Sequence, residues 1–191
     1  GMNFKVHFKN DDKDYQFTTK LLGEANVYNI LAGIAIGKEL GLNIEELQKG
    51  VSQIRPIEHR LQMRKYGLIT YIDDAYNSNP VGSKMALDVL KLMPGKKVII
   101  TPGMIEMGSK QYEVNYNFGK FIADSVDLAI LVGTEQTKPI QDGIKDTNFN
   151  LDNLIILNDV KEAIAIAQNY FKNEETYILL ENDLPDVFNE K

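Results

Sequence analysis

Residues 68–83 read LITYIDDAYNSNPVGS and contain a complete strand-to-helix turn. The apolar run LITYI ends in two aspartates, and a helical pattern begins at Pro80. Ligands of open α/β sheets bind outside the carboxyl ends of the strands, so this turn is a candidate ligand site. Ordinary turn chemistry is the alternative interpretation, because Asn, Asp and Pro are common in turns.

The same alternation of short apolar runs and helical segments continues along the chain. It predicts strands at 60–66, 68–74, 96–103, 127–133, 154–157 and 176–183, with helices at 80–93, 110–124, 135–145 and 159–172. Continuous apolar strands that alternate with helices are typical of a mostly parallel sheet covered on both faces. We therefore predict an α/β, Rossmann-like fold for residues 57–191.

The first 56 residues have a different pattern. Alternating apolar residues in NFKVHF and DYQFTT, separated by turn formers, predict a β-hairpin. The helical period then begins after Gly23, with Val27, Ile30, Leu31, Ile34 and Ala35 expected on the buried face. Gly41 ends this helix, Asn43 caps a second one, and Arg55-Pro56 ends the segment. These features predict a small α+β unit before a domain boundary.

Composition excludes several classes of function. The chain has 191 residues, a net charge of −6 and no cysteine, so nucleic-acid binding, disulfides and thiolate metal sites are not expected. No apolar run reaches the length of about 18 residues that a membrane helix needs, and a cytoplasmic location fits. The motifs GxxxxGK[ST], GxGxxG and GxSxG are absent, which argues against a self-contained enzyme of the common hydrolytic classes.

Four segments, taken in order, resemble the Mur ligases. They are GEANVYNILAGIAIGKELG, Arg55-Pro56 through EHRLQ, YIDDAYNSNP, and TPGMIEMGS, which is similar to a GDMxELG pattern without its aspartate. The turn is most similar to the DDSYNANP of the MurF type, the UDP-N-acetylmuramoyl-tripeptide–D-alanyl-D-alanine ligases. The likeness covers roughly residues 20–135.

This resemblance implies a domain assignment and an activity. Residues 1–56 would be the end of a central ATP-binding domain, and residues 57–191 the Mur ligase C-terminal domain. The family joins a carboxylate to an amine with ATP and Mg²⁺, and here the partners would be a UDP-muramoyl peptide and D-Ala-D-Ala. The phosphate loop and most magnesium ligands would lie outside this chain, so we expect no ligase activity from the chain alone.

The resemblance also implies roles for individual residues. Nucleotide contacts are expected at Asn26, Asn29, Arg60, Asp74, Tyr76 and Asn79. A guanidinium matches phosphate oxygens, which suits Arg60, and a carboxylate accepts ribose hydroxyls, which suits Asp74. Asn26 and Asn29 lie on one helical face with amides that suit an adenine edge. Helix capping, turn formation and a surface arginine are the alternative interpretations.

The incoming amine has its own candidates. Glu106, which we group with Arg60 as catalytic, would hold the ammonium group or remove its proton. Glu181 and Asp183 are weaker candidates for the same contact, and Asp73 is expected to orient the turn or cap the helix. A solvated loop glutamate is the alternative interpretation of Glu106.

The sequence departs from the family in two places that bear on the substrate. Ala25 stands where the family often has histidine, and LLENDLPDVF stands where many MurF-type enzymes have KGSR. A related amide ligase with another carboxylate or amine therefore also fits the sequence. So do a stand-alone nucleotide- or small-molecule-binding module and a purely structural partner domain. The oligomeric state is left open.

Overall fold

A computed structural model describes residues 1–9 and 11–183. By its internal contacts the chain divides into two compact units, Gly1–Leu61 and Gln62–Lys191. The division lies a few residues after the boundary expected at Pro56. Each unit has its own hydrophobic core.

The first unit is a β-hairpin with two helices. Its elements are β1 (Met2–His7), β2 (Asp14–Thr19), α1 (Glu24–Glu39) and α2 (Ile44–Gln53). The strands are antiparallel, with Phe4 opposite Phe17. Phe17 is fully buried against Ile30 and Ile34 of α1 and Leu47 of α2. The predicted hairpin and both helices are confirmed.

The ends of the two helices follow from local chemistry. Asn43 begins α2 with a capping box, because its side-chain oxygen accepts from the Glu46 N–H at 3.0 Å and its own N–H donates to the Glu46 carboxylate at 2.8 Å. Gly41 ends α1 at a φ of +89°. One detail differs from the sequence prediction: Ala35 is exposed and Gly37 is buried. Leu47 of α2 packs so closely over Gly37 that a Cβ would meet its Cδ2 atom at 2.6 Å.

The second unit is a six-stranded sheet with four helices. Its strands are β3 (Gln62–Tyr66), β4 (Ile69–Asp74), β5 (Lys96–Thr101), β6 (Leu128–Val132), β7 (Leu154–Leu157) and β8 (Thr176–Glu181). Its helices are α3 (Pro80–Lys91), α4 (Gln111–Ala123), α5 (Lys138–Lys145) and α6 (Val160–Tyr170). The strand order is β3-β4-β8-β5-β6-β7. All neighbouring pairs are parallel except β3–β4.

Helices cover both faces of this sheet, as predicted. On one face, Ala163 and Ala167 of α6 pack against Val98, Ile130 and Ile178. The alternate strand residues point to the opposite face. Five apolar residues among these are completely buried, namely Ile72, Ile99, Ala129, Leu131 and Leu179. That face is covered by α3, α4 and α5, which contact one another or the sheet.

The pair α4–α5 is the most closely packed pair of helices in the second unit. A Cβ on Gly119 of α4 would collide with the carbonyl oxygen of Ile140, and a Cβ on Gly143 of α5 would collide with that of Tyr116. The two helices therefore approach at backbone distance, and each contributes one glycine to the crossing. This crossing fixes the helix that follows the TPGMIEMG loop.

We expect Gly143→Ala to destabilise the second unit by about 1–3 kcal/mol, because the backbone has to move to admit a methyl group. Gly50→Ala is the matched control, since Gly50 also lies in a helix but has no atom within 4 Å of its Cβ position. Helix propensity should make that variant up to about 1 kcal/mol more stable in the first unit. Chemical denaturation of the three proteins measures both effects. Equal stability of Gly143→Ala and the wild type would contradict the close crossing.

Candidate functional site

The carboxyl ends of five strands meet at one edge of the sheet. The strands β4, β8, β5, β6 and β7 are parallel, so their carboxyl ends are necessarily on the same side. Asp74 ends β4 and Glu181 ends β8, and the two residues are register partners. The structure therefore brings together the end of the DDAYNSNP strand and the end of the last strand.

The turn after β4 is built by its own polar side chains. Asp73 is buried and its Oδ1 atom accepts a hydrogen bond from the Ala75 N–H at 3.4 Å. Asn79 caps α3, because its Oδ1 atom accepts from the N–H groups of Val81 at 3.2 Å and Gly82 at 2.9 Å. Turn and cap chemistry thus explain Asp73 and Asn79 without a ligand. Tyr76 is 64% exposed at the surface of the turn.

Glu181 lies inside the protein beneath this turn. It is 1% exposed, and its Oε1 atom accepts a hydrogen bond from the Ser78 hydroxyl at 2.8 Å. The Ser78 hydroxyl also contacts that of Ser83 in α3, which donates to the Asn79 carbonyl at 2.9 Å. A chain of hydroxyl groups therefore connects the last strand to the first turn of α3. Sequence reasoning proposed Glu181 as a contact for the amine, but its burial favours an internal role.

Burial, followed by the neighbouring Asp74 carboxylate, raises the pKa of Glu181 to about 8. Hydrogen bonds from Ser78 and Ser83 oppose this rise but do not offset it. A carboxyl group with such a pKa carries a proton at neutral pH. Sequence reasoning missed Ser78 and Ser83. Two features of the sequence could have indicated this cluster. Glu181 directly follows the apolar run TYILL, and the segment DDAYNSNPVGS contains two serines.

The TPGMIEMG loop is held at the same edge by two amide side chains. Asn115 of α4 is 1% exposed, accepts from the Met104 N–H at 2.8 Å and donates to the Met104 carbonyl at 2.8 Å. Asn182 donates to the Gly103 carbonyl at 2.7 Å. The Met104 side chain is buried, with its sulfur 3.6 Å from the Ser83 hydroxyl. Only the far part of the loop faces solvent, including Glu106, which has a φ of +62°.

A cavity of about 380 Å³ opens on the α6 side of this edge. Polar residues that line it include Asn158, Asp159 and Lys161 at the start of α6, and Asn182 and Asp183 after β8. Ala75, which follows Asp74, and the β8 residue Leu180 also line it. Leu180 belongs to the α6-facing core, whereas Glu181 faces the α3 side by strand alternation. The cavity and the Asp74–Glu181 pair therefore lie on opposite faces of one edge.

The remaining candidates belong to the first unit. Asn26 donates to the Leu22 carbonyl at 2.7 Å within the start of α1, and Asn29 is exposed on the same helix. Arg60 is exposed in the segment that leads into β3, and its backbone N–H donates to the Ile57 carbonyl at 3.2 Å. The nucleotide roles of these residues stay predictions.

Two general features of the described residues bear on the site. Within residues 1–9 and 11–183, no group of three or more histidine, aspartate or glutamate side chains is placed to hold a metal ion. None of the helices in that part of the chain is long and apolar enough to cross a membrane.

Residues 59–180 match the model of the family described as Mur ligase, glutamate ligase domain. The chain belongs to this Mur ligase family. The resemblance seen in the sequence is thereby confirmed, and the family match begins close to the division between the two units. The Asp74 turn, the TPGMIEMG loop and β8 all lie within or directly beside the matched residues.

Named Mur ligases are similar to the chain over most of its length. It is 27% identical over 174 residues to the UDP-N-acetylmuramoyl-tripeptide–D-alanyl-D-alanine ligase of Bacillus subtilis, covering 88% of this chain and 38% of that protein. The fold matches MurF of Acinetobacter baumannii with a TM-score of 0.80 at 24% identity, covering 95% of this chain and 39% of that one. It also matches a MurF ligase from Thermotoga maritima in complex with ADP, with a TM-score of 0.74 at 16% identity, covering 94% and 42%. The chain thus spans only 38% of the length of the B. subtilis ligase and 39–42% of the two MurF chains.

We expect Asn115→Ala in this Mur ligase domain to cost about 2–3 kcal/mol of unfolding free energy, because two buried backbone groups of Met104 lose their partner. Asn169→Ala is the matched control, since its side chain bonds the Ala165 carbonyl on the exposed surface of α6. The control should change stability by less than about 0.5 kcal/mol. Denaturation and amide hydrogen exchange of Met104 measure the effect. An unchanged exchange rate in Asn115→Ala would contradict the proposed anchoring of the loop.

Proposed function

We propose that this chain is the C-terminal part of an ATP-dependent amide ligase of peptidoglycan precursor synthesis. In the proposed reaction, ATP phosphorylates a carboxylate, an amine attacks the acyl phosphate, and phosphate leaves. The incoming amine would be D-Ala-D-Ala and the carboxylate would belong to a UDP-muramoyl peptide. Family membership and the MurF-named relatives support this proposal, and the observation that carries it is Asp74 at the shared carboxyl edge.

The nucleotide would bind on the Asp74 side of the edge. The Asp74 carboxylate, at the end of its strand, would accept hydrogen bonds from the ribose hydroxyl groups. Tyr76, two residues after Asp74, is exposed. Arg60 would reach the terminal phosphates with its planar guanidinium, while Asn26 and Asn29 would contact adenine. Asn79 would contribute by fixing the turn, since its cap bonds are already made within the protein. The T. maritima MurF, which is similar in fold, was solved with ADP.

The amine would bind near the cavity on the α6 side. Carboxylates of Asp159 and Asp183 and the amides of Asn158 and Asn182 line it, and such groups suit an ammonium and a peptide bond. Glu106, on the exposed part of the adjacent loop, would hold the ammonium group or take its proton. Magnesium would neutralise charge on the phosphates, but the described residues offer no three-ligand group for it. As the family resemblance implies, most of its ligands would be supplied from outside this chain.

The domain assignment is part of the same proposal. Residues 1–56 would be the end of a central ATP-binding domain, and residues 57–191 the domain that closes over the nucleotide. Closure would bring the Asp74 edge to ATP held elsewhere and exclude water from the acyl phosphate. A cytoplasmic location follows from the nucleotide-linked substrates that we propose.

The test uses the full-length protein that contains this chain. Asp74→Ala and Arg60→Ala should each lower kcat/KM for amide formation at least about 100-fold, because each removes a contact with the closing nucleotide. Asp88→Ala is the control, since Asp88 is an exposed aspartate of α3 paired with Lys84 at 2.7 Å. Product formation from ATP, UDP-muramoyl tripeptide and D-Ala-D-Ala is measured alongside the unfolding free energy. Full activity of Asp74→Ala, or an equal loss in the control, would refute the assignment.

A second test uses the 191-residue chain alone. It should form no amide product with ATP, Mg²⁺ and both substrates, because its sequence has no GxxxxGK[ST] loop to hold the phosphates. Chromatography of the reaction mixture checks this, with the full-length protein as the positive control. Measurable amide formation by the isolated chain would refute the proposal that the phosphate-binding part of the ATP site lies outside this chain.

A further inference from the structure

We propose that Glu181 holds a proton at neutral pH and, as a neutral acid, positions Asp74 and the Ser78 turn at the carboxyl edge of the sheet. Glu181 is thus a positioning residue, which acts through Asp74 and Ser78. Its effect on nucleotide binding rests on the proposed function above. The inferences that Glu181 is protonated and that it positions the turn rest only on the structure.

The strand register places two carboxyl groups side by side. Asp74 and Glu181 are directly paired on the parallel strands β4 and β8, so both side chains point to the same face. Neighbouring strands are about 4.8 Å apart, which brings the two carboxyl groups within interaction range. Two carboxylates at such a separation do not both ionise readily, so the pair shares one proton over a wide pH range.

Among the described residues, Asp74 is the only charged group that affects the ionisation of Glu181. The group facing it from β4 is Asp74, and the groups facing it from the turn and α3 are the hydroxyls of Ser78 and Ser83. The charged residue next to Ser83, Lys84, is exposed and pairs with Asp88. On the β5 side, the buried Thr101 hydroxyl accepts from the Gly103 N–H at 3.0 Å. Glu181 takes part in none of the ion pairs recorded for the described residues.

The two oxygen atoms of Glu181 have different environments. Oε1 accepts from the Ser78 hydroxyl, whereas Oε2 is buried and receives no hydrogen bond from any described residue. A proton on Oε2 turns this atom into a donor toward the adjacent Asp74 carboxylate. Asp74 is then held in place, and Ser78 keeps its bond. Loss of the proton leaves two facing carboxylates beneath the turn, which repel each other.

The proton on Glu181 has a measurable effect on stability. The pKa is about 8 in the folded protein against an ordinary value of 4.5, so between these values the folded state binds one proton more than the unfolded state. Stability therefore falls as pH rises through this range. Between about pH 5 and about pH 8, we expect the denaturant concentration at the unfolding midpoint of the wild type to fall. The midpoint of Glu181→Gln, which cannot ionise at this position, should fall less over the same pH range. Glu162→Gln, at an exposed position of α6, should behave like the wild type.

Positioning of the turn is tested by NMR of the 191-residue chain. The backbone amide signals of residues 74–79 should shift with a midpoint near pH 8 in the wild type and stay constant in Glu181→Gln. Glu181→Leu lacks the acceptor for Ser78, so its turn signals should be displaced at every pH. A stability slope shared by the wild type and Glu181→Gln, or turn signals that titrate equally in both, would overturn the proposal. The proposal would also be overturned if Mg²⁺ at neutral pH stabilised the wild type but not Glu181→Gln. In that case a cation, and not a proton, would neutralise the Asp74–Glu181 pair.

ADP binding by the full-length protein separates this inference from the proposed function. We expect the wild type to lose affinity at least about tenfold between pH 6.5 and pH 9, and Glu181→Gln to lose much less, because its Asp74 stays in place. Absence of ADP binding at both pH values, with the turn still titrating in the wild type, would refute the nucleotide site but leave the role of Glu181 intact. Binding with an equal pH dependence in both proteins would refute the control of Asp74 by Glu181.

Discussion

The insertion of β8 between β4 and β5 is the constraint on which the candidate site depends. The last described strand becomes a central strand, and its parallel register with β4 places Glu181 beside Asp74. Ser78 and Glu181 are 103 residues apart in sequence, yet their hydrogen bond ties the turn to this strand. Because β8 is flanked by parallel neighbours on both sides, a shift of its register would move every polar group at the edge. The geometry of the site is therefore a property of the whole sheet.

The two faces of the edge have different chemistry, which fits a reaction that joins two substrates. On the α3 face, Asp74 and the Asn79-capped turn offer a rigid acceptor suited to hydroxyl groups. On the α6 face, a cavity of about 380 Å³ is lined by amides and carboxylates suited to an amine. Strand β8 separates them, with Leu180 facing the cavity and Glu181 facing the turn.

Local chemistry explains why much of the fold could be predicted. Asn43 and Asp159 cap their helices as the pattern indicates, and apolar periodicity identified the strands of the described residues. The cap of α3 was predicted less well, because Asn79 makes it and not Asp73. The strand order could not be predicted, because it depends on packing between distant segments. The burial of Gly37 depends on the packing of Leu47 in the same way. Family resemblance, not pattern, supplied the proposed roles of Arg60, Asp74 and Glu106.

The pairing of buried Glu181 with half-buried Asp74 could not be predicted from the sequence for a related reason. A glutamate at the end of a strand is normally solvated, and only the register with Asp74 and the cover by Ser78 and Ser83 make Glu181 unusual. The central claim is that Asp74 receives the nucleotide at this edge. A crystal structure of the full-length protein with ADP tests it directly. We predict a ribose hydroxyl within hydrogen-bond distance of the Asp74 carboxylate, and ADP bound with Asp74 facing only solvent would contradict the account.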